Sequence, residues 1–184
     1  MLKKRYINLK VGVLRFFSIN ILEVDIQDVI NKLEEFGANK IFEGDLEAEF
    51  FDFKDLRLKK DKKMLRLRVK RNHSELTFKE RISKDEAKIM KEHETDLDNP
   101  ESMRTILSSL GLKKIGEMKK HRVSYSLDNV RFEFDTFPNI PTFLEIESDN
   151  VSELKLWVEN LGFSWSDTKP WTGKDVLDHY SSSL

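Results

Sequence analysis

Hydrophobic positions recur along this chain with two different periods. Over residues 25–36, Ile26, Val29, Ile30, Leu33 and Phe36 fall three and four apart, the spacing of one helical stripe, and Gly37 follows as a stop. NPESMRTILSSLG predicts a second helix, with Asn99 as cap, Pro100 at the first helical position and Gly111 as the stop. Residues 150–162 repeat the pattern from Asn150 to Gly162, and TGKDVLDHY makes a short fourth helix. Between them the period falls to two. Strands are predicted over 14–24, 41–53, 63–71, 75–82, 91–97, 113–118, 120–127, 130–136 and 143–148, with Asn72-His73 as a tight turn. Residues 30–47 and 104–121 echo each other in helix end, glycine and following strand; convergence and an old duplication both account for that. Eight or nine strands in hairpin-like order predict an α+β protein: an antiparallel sheet, curved or closed, with amphipathic helices packed outside.

The strands carry a second regularity. In KMLRLRVKR, residues 63–71, Leu65, Leu67 and Val69 alternate with Arg66, Arg68 and Lys70. Charges at the same spacing follow at Lys79, at Glu92 and Glu94, at Lys120 and Arg122, at Glu133 and Asp135, and at Glu145 and Glu147. One such pair alone reads as a solvated sheet face with cross-strand ion pairs. The set reads differently. Amphipathic helices need an apolar partner, and the apolar strand faces supply it, so the charged faces turn toward one another. A lumen lined by both signs is costly unless charged ligands occupy it. Cations suit phosphate, and paired carboxylates suit a hard divalent metal such as Mg²⁺ or Mn²⁺. Strand residues two apart point the same way about 6.6–6.8 Å apart, close enough for two carboxylates to converge on one ion.

Composition narrows the partners. Among 184 residues, 32 Lys and Arg balance 33 Asp and Glu, which excludes a general nucleic-acid binder. The absence of cysteine removes disulfides, thiolate catalysis and Cys-ligated zinc, and suits a cytoplasmic protein. Lys10 and Arg15 interrupt the N-terminal apolar stretch, and no run approaches the roughly 18 apolar residues of a membrane span. The expectation is a single soluble, cytoplasmic domain over 1–184 with an atypical segment at 1–15, no nucleic-acid or membrane partner, and a homodimer left open. His73, His93, His121 and His179 are scattered, the 7 glycines form no phosphate-binding loop, and Ser124 has no base nearby in sequence. Trp157 falls on its helix stripe and reads as core. Trp165 and Trp171 flank Pro170 and suit either packing or the capping of a sheet end.

The charged positions also carry a resemblance. Arg66 and Arg68, Lys79 in a TFK strand, Glu92 and Glu94, Lys120 and Arg122, Asp135, and FLEIE at 143–147 resemble, in this order, the CYTH superfamily. That superfamily includes class IV adenylate cyclases and thiamine triphosphatases. The resemblance covers about residues 20–180, and VINKLEEFGANKIFEGDLEAEFFDF is similar to the cyclase-type branch. It implies an eight-stranded antiparallel β-barrel, the triphosphate tunnel, holding a triphosphate such as ATP, tripolyphosphate or thiamine triphosphate. It implies that Arg66, Arg68, Lys79, Lys120 and Arg122 grip phosphate, with Lys174 near the mouth. Asp135, Glu145 and Glu147, with Glu133, would bind Mg²⁺ or Mn²⁺, while Glu92, Glu94 and Lys79 take part in catalysis. The expected reaction is conversion of ATP to cyclic AMP and pyrophosphate, or else hydrolysis of tripolyphosphate or thiamine triphosphate. One departure stands out. The superfamily's first strand carries Glu-x-Glu-x-Lys, and the matching positions here are Phe16, Ser18 and Asn20. A member that binds without catalysing, a replaced first strand and an altered N-terminus all fit that change.

Overall fold

Eight antiparallel strands form a closed ring in the computed structural model, which describes residues 14–70 and 73–181. In chain order the ring strands are β1 (Leu14–Ile21), β2 (Asn39–Phe53), β3 (Lys63–Lys70), β4 (His73–Lys84), β5 (Lys88–Leu97), β6 (Leu112–Leu127), β7 (Val130–Thr136) and β8 (Phe143–Ser148). Around the ring they run β5-β4-β3-β2-β6-β7-β8-β1, and β1 closes it by pairing with β5. A two-residue strand, β9 (Thr168–Lys169), adds to the end of β1. The residues expected as separate strands 113–118 and 120–127 form one strand, β6, paired along β2 almost throughout. The strand predicted at 91–97 starts earlier, at Lys88, and the first strand stops at Ile21. Asn72 of the expected turn and the bulk of the 1–15 segment lie outside the described residues.

The helices form where capping chemistry and periodicity agree. In α1 (Ile26–Glu35) the Asp25 side chain accepts from the Asp28 amide at 3.1 Å, and Gly37 leaves the helix at φ +86°, a left-handed turn that glycine makes without a Cβ penalty. The four-residue turn α2 (Arg57–Lys60), absent from the sequence-based expectation, is capped by Asp52, whose carboxylate accepts from the amides of Leu58 and Lys59. In α3 (Pro100–Ser109) Asn99 accepts from the Ser102 amide, and in α4 (Val151–Asn160) Asn150 accepts from the Glu153 amide. The last helix is α5 (Gly173–Ser181). The two echoing segments are α1 leading into β2 and α3 leading into β6, and those two strands pair with each other.

Most of the apolar strand faces meet helices. Ile19 and Ile21 of β1, Phe132 and Phe134 of β7, and Leu144 and Ile146 of β8 pack with Val29 and Leu33 of α1 and Leu154 and Val158 of α4. Trp157 joins this core, with its ring edge-on to Phe132 at 5.1 Å. On the opposite side Leu65, Leu67 and Leu76 pack with Met103 and Leu107 of α3. Burying each such side chain contributes roughly 1.5–3 kcal/mol, so the hydrophobic stabilisation sits outside the ring. A third cluster closes one end: Trp171, Val176, Leu177 and Tyr180 at α5 cover Phe137, Phe143 and Leu22. Trp171 is therefore an end cap, whereas Trp165 packs on the outer core, with the Lys155 ammonium 5.2 Å from its ring. No helix among the described residues is long and apolar enough to cross a membrane.

Candidate functional site

Strand pairing decides which residues share the inner face. Directly paired residues point to the same side, and the apolar alternates are already taken by helices. Arg66 lies opposite Thr77, Arg68 opposite Glu75, Lys79 opposite Glu92, and Thr77 opposite Glu94. Across the ring Arg122 faces Asp135, Glu133 faces Glu145, and Glu145 and Glu147 face Asn20 and Ser18 of β1. The charged side is the inside.

These groups bind one another in three sets. In the first, Glu75 accepts from Arg66 at 3.2 Å and from Arg68 at 2.8 Å, while Thr77 accepts from Arg66 and donates to Glu94. The Nε atoms of Arg66 and Arg68 are buried without any partner. Burial, then the neighbouring Arg68, pushes the Arg66 guanidinium down to about 10. In the second set Lys79 donates to Glu92 at 2.6 Å, and burial followed by Arg66 lowers the Lys79 ammonium. In the third, Asp135 accepts from Lys120 at 2.5 Å and from Arg122 at 2.6 Å, and Arg122 also holds Glu133. Burial and then Arg122 push Lys120 down to about 7; against its own burial, Asp135 is held low by Arg122 and Lys120. Buried ion pairs contribute little net stability compared with apolar packing, so stability alone does not explain this lining.

Glu133, Glu145 and Glu147 converge, each offering an oxygen within 4.8 Å of the others. Lys88 donates to Glu145 at 2.8 Å, and despite burial Glu145 is held low by Lys88, then Arg122. Glu147 makes no hydrogen bond or ion pair among the described residues; burial and then Glu145 raise its carboxyl. Beside them Asn20, only 1% exposed, donates to the Trp171 carbonyl, and its Oδ1 has no partner. An all-oxygen set containing an unpaired carboxylate and an orphaned amide oxygen fits a hard divalent cation.

The predicted residues fall mostly within this lumen. Arg66, Arg68, Lys79, Lys120, Arg122, Glu92, Glu133, Asp135, Glu145 and Glu147 all face it. Asp135 stands with the cations rather than in the converging carboxylate group. Glu94 points the same way but is half exposed at the mouth away from α5. Lys174 is not brought to the lumen: it lies on α5, 65% exposed, paired with Asp178 one turn on. Sequence reasoning missed Glu75 and Lys88. Glu75 was legible, since it lies two and four residues before Thr77 and Lys79 on one face. Lys88 was not, because the strand was expected to begin at 91.

The closed ring locates the first-strand departure. β1 lies between β5 and β8, with Phe16, Ser18 and Asn20 on its inner side. The strand is in place, so a replaced strand is excluded as the reason for the changed residues.

Comparison with solved structures agrees with this geometry. A protein of Pyrococcus horikoshii OT3 is 27% identical with a TM-score of 0.70, covering 85% of this chain and 96% of its own. A putative adenylate cyclase from Vibrio parahaemolyticus is 17% identical with a TM-score of 0.76, covering 91% and 99%. A putative adenylyl cyclase from Hippeastrum, described as having a dominant triphosphatase activity, is 14% identical with a TM-score of 0.63, covering 92% and 96%. No curated protein matches the chain. The CYTH domain model matches residues 21–161, most of the ring and the helices α1, α3 and α4, and the chain belongs to the CYTH domain family.

Proposed function

We propose that this protein binds a triphosphate inside the ring and, with a divalent cation, cleaves one of its phosphoanhydride bonds. The observation that carries this reading is the pair of buried, unpartnered guanidinium Nε donors of Arg66 and Arg68 on β3, with a converging carboxylate set on β7 and β8 across the ring. An unpaired buried N–H donor costs free energy until an acceptor arrives, and phosphate oxygens supply several. Arg66, Arg68, Lys79, Lys120 and Arg122 would trade their carboxylate partners for phosphate oxygens. Their positive charge is then fixed in place before reaction, which is the form of stabilisation most useful to a charged transition state.

Glu133, Glu145 and Glu147, with Asn20, would hold the cation, Mg²⁺ or Mn²⁺. Bound there, it supplies charge neutralisation at phosphate oxygens. Lys79 and Lys120, both made more acidic than usual by burial, can hand a proton to the leaving phosphate oxygen. Glu92 becomes free to accept a proton once Lys79 turns to phosphate. The reaction expected from the family resemblance is cyclase-type, in which the 3′-hydroxyl of ATP attacks the α-phosphate and pyrophosphate leaves. In the hydrolytic version water attacks the terminal phosphate of tripolyphosphate or thiamine triphosphate. A second reading, binding without turnover, is favoured by Phe16, Ser18 and Asn20 on the inner face of β1, where they add no negative charge.

Product analysis after incubation with ATP, thiamine triphosphate and tripolyphosphate, each with Mg²⁺ and with Mn²⁺, separates these readings. Cyclic AMP with pyrophosphate supports the cyclase, and orthophosphate supports the hydrolase. Thermal stabilisation by tripolyphosphate without any product supports the binding module. No stabilisation and no product refutes the lumen as a triphosphate site.

A further inference from the structure

Lys88 lies on β5 directly opposite Ser18 of β1, and Ser18 in turn lies opposite Glu147 of β8. The Lys88 side chain does not stop at β1. It reaches across to Glu145 on β8, donating at 2.8 Å, and also donates to the Trp171 carbonyl at 3.3 Å. The short Ser18 side chain, 2% exposed, leaves the room for that crossing. Lys88 is itself buried, so its ammonium is a fixed charge and not a mobile surface one.

We propose that Lys88 is a resident counter-cation of the carboxylate cluster, taking beside Glu145 the charge-neutralising place that an external divalent ion would otherwise take. Cation binding at Glu133, Glu145 and Glu147 then proceeds against Lys88, which must leave Glu145 or share it. Two neighbouring observations agree. Arg122 holds Glu133 and lies 3.5 Å from Glu145, whereas Glu147 is unpaired among the described residues and Asn20 Oδ1 is orphaned, so the side of the cluster that neither Lys88 nor Arg122 reaches is the part left open for one ion.

The inference rests on the proposed role of these three carboxylates as cation ligands, and its test reads binding without turnover. Mn²⁺ titration, followed by the electron paramagnetic resonance of the free ion, is run on the whole protein and on Lys88→Met, Lys88→Gln and Lys88→Arg, with no triphosphate present. Metal-free melting temperatures are measured alongside. Lys88→Met should bind Mn²⁺ at least about tenfold more tightly, since a like charge has been removed from within hydrogen-bond reach of a ligand. It should melt lower without metal and recover more on Mn²⁺ addition than the parent does. Lys88→Arg should stay near the parent.

Unchanged or weaker Mn²⁺ binding by a folded Lys88→Met overturns this inference alone, provided the parent binds. Absence of Mn²⁺ binding in both overturns it together with the metal half of the proposed function. The phosphate half is read separately by metal-free tripolyphosphate binding. If Lys88→Met cannot be recovered folded, Lys88→Gln carries the same expectation, because its amide can still donate to Glu145. If neither folds even with Mn²⁺ in the buffer, the ammonium is not exchangeable and the proposal fails.

Discussion

Glu75→Gln tests whether the arginine pair is built for an anion. Glu75 is buried on the inner face of β4 and accepts from both Arg66 and Arg68, whose side chains are only 11% and 13% exposed. The amide keeps the volume and one acceptor oxygen but removes the charge that two guanidiniums share. Breaking a buried pair from one side costs about 3–5 kcal/mol, because the partner is left uncompensated; the retained oxygen places this variant near ~3 kcal/mol. For a protein of this size each kcal/mol moves the melting temperature by roughly 2–4 °C, so the expected fall is about 6–12 °C. The loss should be recovered in an unusual way. In the parent, tripolyphosphate has to displace the charged Glu75, whereas in the variant it displaces only a neutral amide at that position. Its stabilisation, about 2.7 kcal/mol at a hundredfold excess over the dissociation constant, should therefore appear at lower ligand concentration in the variant. The assay is thermal unfolding with chelator present, over a tripolyphosphate series at low salt. A loss below about 1 kcal/mol, the range of exposed ion pairs, with the ligand response unchanged, would refute a buried anion site at β3 and β4.

The other predictions use the same measurements. Arg68→Ala should leave the ring folded, since Leu67 and Leu65 still face the α3 core, yet remove most tripolyphosphate binding; parental binding in a titration would place Arg68 outside the site. The Lys120 pKa of about 7 lies below its ordinary 10.5, so the unfolded chain holds that proton more tightly. Stability contributed at Lys120 should accordingly rise with pH from about 7 upward, while triphosphate affinity falls over the same window as the ammonium loses its charge. Lys120→Met should flatten both profiles, and unaltered profiles in that variant would remove Lys120 as their source. Adding first-strand charge with Phe16→Glu and Ser18→Glu, with Asn20 kept for its amide oxygen, should strengthen Mn²⁺ binding and raise any phosphate or pyrophosphate release. A folded double variant that improves neither quantity would show that these two positions on the inner face of β1 take no part in cation binding.

The parts of this fold that were legible in the sequence are those governed by local periodicity. Leu65, Leu67, Arg66 and Arg68 alternate because the strand does, and Asp25, Asn99 and Asn150 announce their helices because a capping oxygen must sit at that position. That the charged face is the inner one also followed from local pattern, once every helix stripe was counted as needing an apolar partner. What stayed hidden depends on pairing between strands far apart in the chain. Lys88 precedes the alternating KEHET run, in a stretch (AKIM) whose single charge is flanked by apolar residues on both sides. Only the β5–β1 register, which sets Lys88 against Ser18, and the adjoining β1–β8 register bring it to Glu145, 57 residues away. The two adjacent phenylalanines, by contrast, were separable locally: Phe17 falls in step with Ile19 and Ile21 and joins the outer core, while Phe16 shares the inner face with Ser18 and Asn20. A closed ring converts a one-residue difference in position into the difference between core and lumen. The chemistry of this site is accordingly written in which residues stand opposite each other across β1, and the departure of β1 from the family pattern is best understood together with the lysine that reaches over it.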